Sequence, residues 1–231
     1  MLSISDYSKR YRHGGVGPLN FHVNTGEVVG IIGPNGAGKT TFFECLVGIK
    51  HPDNGNIILE GISNGKRLEA KNVGYVGEES LFPLRFTPRQ ALEYDAVLRG
   101  IPSHYGACSA ALDLLQLMPK ENIPLKHLSQ GWRKRVDIAS AFIGMPEVII
   151  LDEPLNSLDI AGVMLMRSVI KKAQTAGSIV MISSHILDFL DDVTSRIIFL
   201  SDGHIVADTH NSSESAENIY RGLFMEESDV K

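Results

Sequence analysis

Between an apolar run ending at Ile32 and a helix-like stretch opening at Lys39, the chain reads Gly33-Pro34-Asn35-Gly36-Ala37-Gly38-Lys39-Thr40. This satisfies G-x-x-x-x-G-K-[ST] at every fixed position, and its setting counts for more than its letters. The run Glu27–Ile32 has the composition of a strand, and the stretch from Lys39 to Val47 reads as a helix that Gly48 ends. Glycines let the backbone curl until successive N–H groups converge on one point. The helix start adds the positive end of its dipole, Lys39 adds a full charge, and the Thr40 hydroxyl suits a Mg²⁺ ion. The segment is therefore a strand–loop–helix built to cradle phosphate groups.

The same alternation runs on along the chain. Short apolar runs at Asn56–Glu60, Val73–Val76, Val148–Leu151, Ser178–Ile182, Arg196–Leu200 and His204–Ala207 are spaced by longer stretches, the pattern of an α/β domain with a largely parallel sheet. Gly61, Asn64-Gly65 and Asp202-Gly203 read as tight turns, the last closing a hairpin. From about residue 80 to 145 the strand signal stops. Pro88–Arg99, Tyr105–Leu117 and Gln130–Ile143 read there as helices of a subdomain inserted in the sheet domain. After Thr209 the chain turns acidic (Glu214, Glu217, Glu226, Glu227, Asp229), with Ile219, Leu223 and Phe224 marking one short amphipathic helix. The expected division is a domain over 1–208 and a tail over 209–231.

A second chemical feature closes a buried strand. Val148-Ile149-Ile150-Leu151 is followed by Asp152-Glu153, and open parallel sheets gather ligands outside the carboxyl ends of their strands. Asp152 is expected to hold Mg²⁺, directly or through water, and Glu153 to reach the water that attacks the γ-phosphate. Other classes are excluded by composition. The 22 basic and 27 acidic side chains leave a charge of −5, the wrong sign for a protein that grips nucleic acid by its phosphates. No apolar run reaches the ~18–20 residues that span a bilayer. The start lacks a secretory signal, and Cys45 and Cys108 lie far apart in no metal-ligand spacing, so a reducing cytoplasm is the expected compartment.

From the phosphate loop to Asp159, and more loosely over residues 3–208, the sequence resembles the nucleotide-binding subunit of ATP-binding-cassette (ABC) transporters. The deciding segment is Leu128-Ser129-Gln130-Gly131-Trp132 before Arg133-Lys134-Arg135-Val136, which looks like the L-S-G-G-Q signature opening a helix. Leu155-Asn156-Ser157-Leu158-Asp159 resembles the D-loop, His185 the switch histidine, and Tyr11 the aromatic residue that stacks on adenine. The resemblance implies a P-loop, RecA-like core with an antiparallel β region near the N-terminus and the inserted helical subdomain. It implies ATP and Mg²⁺ as cofactors and a head-to-tail pair of cassettes. Each ATP would lie on Gly33–Thr41 of one copy (Gly33, Pro34, Asn35, Gly36, Ala37, Gly38, Lys39, Thr40 and Thr41) and meet Ser129, Gln130 and Gly131 of the other. The second cassette would be another copy or a related subunit, and the pair would drive separate transmembrane permease subunits from the inner face of the membrane. A soluble ABC-type ATPase without a transport role is the alternative. The wording of the motifs and the short chain lean toward exporters of drugs or peptides.

Three motifs depart from the family pattern. Tyr75-Val76-Gly77-Glu78 places Glu78 where the family has Gln, as in ATPases that protect lantibiotic producers. Glu78 offers only acceptors, toward Mg²⁺ or the attacking water. Its repulsion with a phosphate at ~4 Å is worth about 4 kcal/mol at an effective dielectric of ~20. Glu78 is therefore expected to make activity unusually dependent on Mg²⁺ or Mn²⁺. Trp132 replaces the last signature residue and is expected to pack on the helical subdomain. Asn156-Ser157 alters the D-loop. Lys39, Asp152, Glu153 and His185 are all in place, as an active site requires. Leu81-Phe82-Pro83-Leu84-Arg85-Phe86, apolar for a loop, suits either a groove for a permease helix or the filling of the helical subdomain's core.

Overall fold

The computed structural model describes residues 1–80, 82–102, 104–210 and 214–225. Leu81 of the apolar loop and Glu226, Glu227 and Asp229 of the acidic tail lie outside the described residues. In chain order the elements are β1 (Leu2–Arg10), β2 (Gly15–Val23), β3 (Val28–Ile32), α1 (Lys39–Leu46), β4 (Asn54–Leu59), β5 (Ser63–Gly65), β6 (Val73–Val76) and α2 (Pro88–Leu98). They continue as α3 (His104–Leu114), α4 (Gln130–Ala141), β7 (Val148–Asp152), α5 (Ile160–Thr175), β8 (Ile179–Ser183), α6 (Leu187–Val193), β9 (Arg196–Ser201), β10 (His204–His210) and α7 (Ala216–Phe224). Two compact units divide them. One holds Met1–Leu68 with Met181–Lys231, the other Glu69–Val180.

In the first unit β3 pairs in parallel with β9, Gly30 opposite Ile197, and β10 returns antiparallel to β9. All five residues of β3 are buried, which is why its sequence is apolar without alternation. The hairpin between β9 and β10 turns at Asp202 and Gly203, both at positive φ, as the Asp-Gly pair predicts. A separate antiparallel sheet runs in the order β2-β1-β4-β5. The rings of Tyr7 and Phe21 stand 6.1 and 5.8 Å from that of Phe42, so α1 seals one face of this sheet. Arg196, almost fully buried, donates two hydrogen bonds to the Asp208 carboxylate and one to the His22 carbonyl, joining β9, β10 and β2.

Two readings of this unit change. The strands β1 and β2 were not among the expected runs: in β1 the alternation Leu2-Ser3-Ile4-Ser5 breaks at Asp6 and the register shifts after Ile4 and Tyr7, and in β2 only residues 19–23 alternate. Asn64-Gly65 is not a turn but part of β5, with Gly65 opposite Ile57. The reversal comes earlier, at Gly61, where the Ile62 N–H donates to the Leu59 carbonyl.

In the second unit β6 pairs in parallel with β7, Val73 opposite Val148, and all five residues of β7 are buried. Helices α2, α3 and α4 occupy the stretch where strand signals stop. Pro88 opens α2 behind a capping box of Thr87 and Gln90, the first-turn use of proline expected from the sequence. Helix α4 lies against β6 so closely that a Cβ at Gly74 would come 1.7 Å from the Ala141 carbonyl oxygen. Both partners there are backbone, and overpacking of that kind costs about 3 kcal/mol or more. Gly74→Ala is therefore expected to lower the thermal midpoint by roughly 6–12 °C. Gly106→Ala, with open space around its Cβ inside α3, is expected to leave the midpoint level or slightly raised. Calorimetry of the two variants checks the pair.

Candidate functional site

The phosphate loop is held from three sides in the first unit. A Cβ at Gly33 would sit 2.2 Å from the Leu200 carbonyl oxygen, so only glycine lets the chain leave β3 beside the end of β9. At Gly38 the same atom would press on Gly15 and Val16 at the start of β2. The Gly203 N–H in the hairpin donates to the Ala37 carbonyl, and the Gly17 N–H donates to that of Gly203. Gly36 and Gly38 take φ of +84° and +99°, a region open to glycine at no steric cost. Gly36 also faces open space.

These constraints curl the loop around the start of α1. Its cap is Gly38, which has no side chain to satisfy the first-turn N–H groups, and such groups seek an anion. The Lys39 ammonium folds back to donate to the carbonyls of Gly33 and Pro34 at 2.6 and 3.2 Å. Thr40 is exposed and Thr41 half-buried. Pro34, Asn35 and Ala37 complete the turn, the Ala37 N–H donating to the Pro34 carbonyl. Open space, positive-φ glycines, uncapped amides and a cation make a cradle that fits a phosphate chain.

Tyr11 belongs to the same unit, 43% exposed, with Lys9 and Lys50 each 5.7 Å from the centre of its ring. The two ammonium groups are held in turn by Asp53 and Glu44. A ring with open area and cations beside it is suited to an aromatic base attached to phosphates. His185 stands exposed just beyond β8, after the buried Ser183 and Ser184.

In the second unit β7 ends at Asp152, which is 1% exposed. Glu153 follows at φ +48°, a left-handed conformation that is strained for a side-chain-bearing residue. The chain then turns tightly through Leu158, whose N–H donates to the Leu155 carbonyl. Asp159 caps α5, accepting from the Gly162 N–H at 2.7 Å and from the Arg135 guanidinium at 3.0 Å. These bonds hold its carboxyl below the ordinary range.

The signature opens α4 as expected. The Ser129 hydroxyl oxygen caps the helix by accepting from the Trp132 N–H, which leaves its own hydrogen available to donate. Ser129, Gln130 and Gly131 line a pocket of about 380 Å³ with Trp132, Arg135 and Ser157. Gly131 is required there, since a Cβ would come 2.8 Å from the Ser157 carbonyl oxygen. The Trp132 ring lies under the Arg135 guanidinium, 4.8 Å from its centre, and near Lys120.

Glu78 is exposed just beyond β6. The neighbouring Gly77 carbonyl accepts from the Lys134 ammonium at 3.0 Å. That lysine is 7% exposed. Burial lowers its pKa, while Asp137, Asp152, Glu78 and Glu153 all act to raise it. The carboxylates expected to carry chemistry thus share one buried cation, which sequence reasoning passed over. Among the described residues no group of three or more His, Cys, Asp or Glu side chains forms a ready-made metal cage. A site for Mg²⁺ of one or two protein ligands completed by phosphate oxygens agrees with this donor set.

Comparison with known proteins follows the same lines. The sequence profile of the family described as ABC transporter matches residues 16–156, which include the loop, the signature and the acidic pair. The chain belongs to the ABC transporter family. The lantibiotic transport ATP-binding protein SrtF of Streptococcus pyogenes is 31% identical over 97% of this chain and 98% of its own length. The SkfA peptide export ATP-binding protein SkfE of Bacillus subtilis is 32% identical over 91% and 89%. A solved ATP-binding subunit of an ABC transporter superposes with a TM-score of 0.85 at 24% identity, covering 96% of this chain and 99% of that one. The dimeric cassette MJ0796, bound to ADP and Pi, gives 0.82 at 21% identity over 93% and 100%. The α/β cassette fold, the family and the ATPase class expected from the sequence are thereby borne out.

Proposed function

We propose that the chain binds and hydrolyses ATP as one of a pair of ABC cassettes that drive separate permease subunits in exporting a peptide or a similar compound. The observation that carries this reading is the near full-length likeness to a lantibiotic transport cassette and a peptide export cassette in a chain whose phosphate loop is fully built. Lys39 and the amides of Gly33–Thr41 take the phosphates, and Tyr11 takes the adenine. Thr40 and Asp152 hold Mg²⁺, with Glu78 as a further acceptor, and the ion neutralises phosphate charge. Glu153 accepts a proton from the attacking water, and His185 steadies the γ-phosphate. Ser129, Gln130 and Gly131 serve the nucleotide of a second copy, offering one hydroxyl and a helix start.

Partner docking falls to the groove of about 590 Å³ lined by Arg85, Phe86, Tyr94 and Val97 in the second unit. Half-exposed and exposed apolar side chains there, Tyr94 and Val97 among them, suit a helix from a membrane subunit. Among the described residues no helix is long and apolar enough to cross a membrane itself, in keeping with a subunit held at the inner face through its permease.

A site shared between copies makes turnover depend on pairing. Turnover per chain is expected to rise in proportion to chain concentration when dilute and to level off once pairs form. A rate per chain that stays constant across a thousandfold dilution, with the protein monomeric by light scattering throughout, overturns the paired site.

A further inference from the structure

Helix α4 grips β6 and the segment after it at three successive points. Gly74 lies against the Ala141 backbone. The Lys134 ammonium donates to the Gly77 carbonyl at 3.0 Å. The Ser80 hydroxyl donates to Asp137 Oδ1 at 2.6 Å. The last two contacts flank Glu78, one residue before it and two after. Lys134 and Asp137 are spaced i, i+3, so one face of the helix reaches both ends of the segment. Neither side chain serves the helix itself, and both are drawn out of water to make these contacts. Burial pushes the Asp137 carboxyl up to about 6 while Ser80, Lys134 and Arg133 pull it down. A buried lysine and a mostly buried aspartate on one helix are costly to keep unless they do something together.

We infer that Lys134 and Asp137 are positioning residues, a clasp that fixes Glu78 to the helix opened by Ser129 and so sets where Glu78 stands in the hydrolytic site. The consequence is mechanical. Glu78, with Gly77 and Ser80 held on either side of it, moves with α4, so a displacement of the signature carries Glu78 with it. The inference rests on the role proposed for Glu78, and its two parts are read separately.

A nitroxide on Glu79→Cys, an exposed position inside the segment, reports the clasp in nucleotide-free protein. Asp137→Ala, Lys134→Met and Ser80→Ala are each expected to raise its mobility clearly, while Asp137→Asn, which keeps the accepting oxygen, leaves the line shape close to that of the parent. Ser80 is exposed, so its variant folds whatever the helix variants do. ATP turnover then reads the positioning role. Asp137→Ala is expected to lower it about tenfold in the parent, the size of one lost charge-assisted bond, and less than about twofold beside Glu78→Ala. Unchanged mobility in Ser80→Ala and Asp137→Ala overturns the clasp. Equal losses of turnover with and without Glu78 overturn the positioning role and leave the ATPase reading standing.

Discussion

Glu153→Gln should bind ATP as the parent does and turn it over about 10²–10⁴ times more slowly. That range is what a positioned general base contributes. The amide copies the shape of the carboxylate and keeps an accepting oxygen, but it cannot take a proton. Shape matters here because Glu153 sits at φ +48° directly after the last residue of β7. Its backbone is held by the Asn156 N–H bonded to its carbonyl, so a near-isosteric change leaves the turn intact. A slow variant that still binds also has a second signature: pairs formed around ATP should persist instead of falling apart on hydrolysis. Single-turnover kinetics and size-exclusion chromatography with ATP present measure the two effects. Retention of more than a tenth of parental turnover would assign the base to another residue.

Much of this was legible in the sequence because the decisive features are local. A phosphate loop is a contiguous stretch whose glycines each have a use, Gly33 in its close approach to Leu200, Gly38 in its approach to Gly15, and Gly36 in its positive φ. The strand Val73–Val76 and the first four residues of Val148–Asp152 carry no charged side chain because the sheet there is covered, and Asp152 follows only where β7 reaches its carboxyl end. Gly48 ends α1 at φ +81°, its N–H bonded to the Cys45 carbonyl. Features that depend on distant partners were harder to read. β1 pairs with the adjacent β2 on one edge and with the distant β4 on the other, and that second pairing leaves no local mark in the sequence.

Arg133-Lys134-Arg135 enters the sequence reading only as the stretch that follows the signature, yet the structure buries Lys134 and Arg135 to 7% and 8% exposure. A helical period places residue 134 with Ile138 and Ala141, both buried, and that was the available signal. The omission changes the account of Glu78. Weighed alone, its charge is a repulsion of about 4 kcal/mol against a phosphate. With the Lys134 ammonium acting on the same carboxylates, part of that repulsion is answered within the chain. The expected dependence on Mg²⁺ is then sharpest in Lys134→Met, not in the parent.

Lys39→Ala is expected to weaken ATP binding about 10- to 100-fold, since a charge-assisted hydrogen bond is worth roughly 1.5–3 kcal/mol and each 1.4 kcal/mol is tenfold. Without nucleotide the ammonium bonds the carbonyls of Gly33 and Pro34. Its removal takes that donor from the carbonyls of the buried Gly33 and the half-buried Pro34, a cost to the fold of about 1–3 kcal/mol that applies with or without ATP. The two expectations separate binding from stability in one experiment. Millimolar ATP should raise the thermal midpoint of the parent, because a ligand selective for the native state stabilises it by mass action, and should raise that of Lys39→Ala much less. Lys39→Arg is expected to rescue poorly: its planar fork is bulkier than a compact ammonium, and the Gly38 cap beside it is already packed against Gly15 and Val16. An equal rise in all three proteins would mean that the amides of the loop hold the phosphates unaided, and the role given to the Lys39 charge would fall.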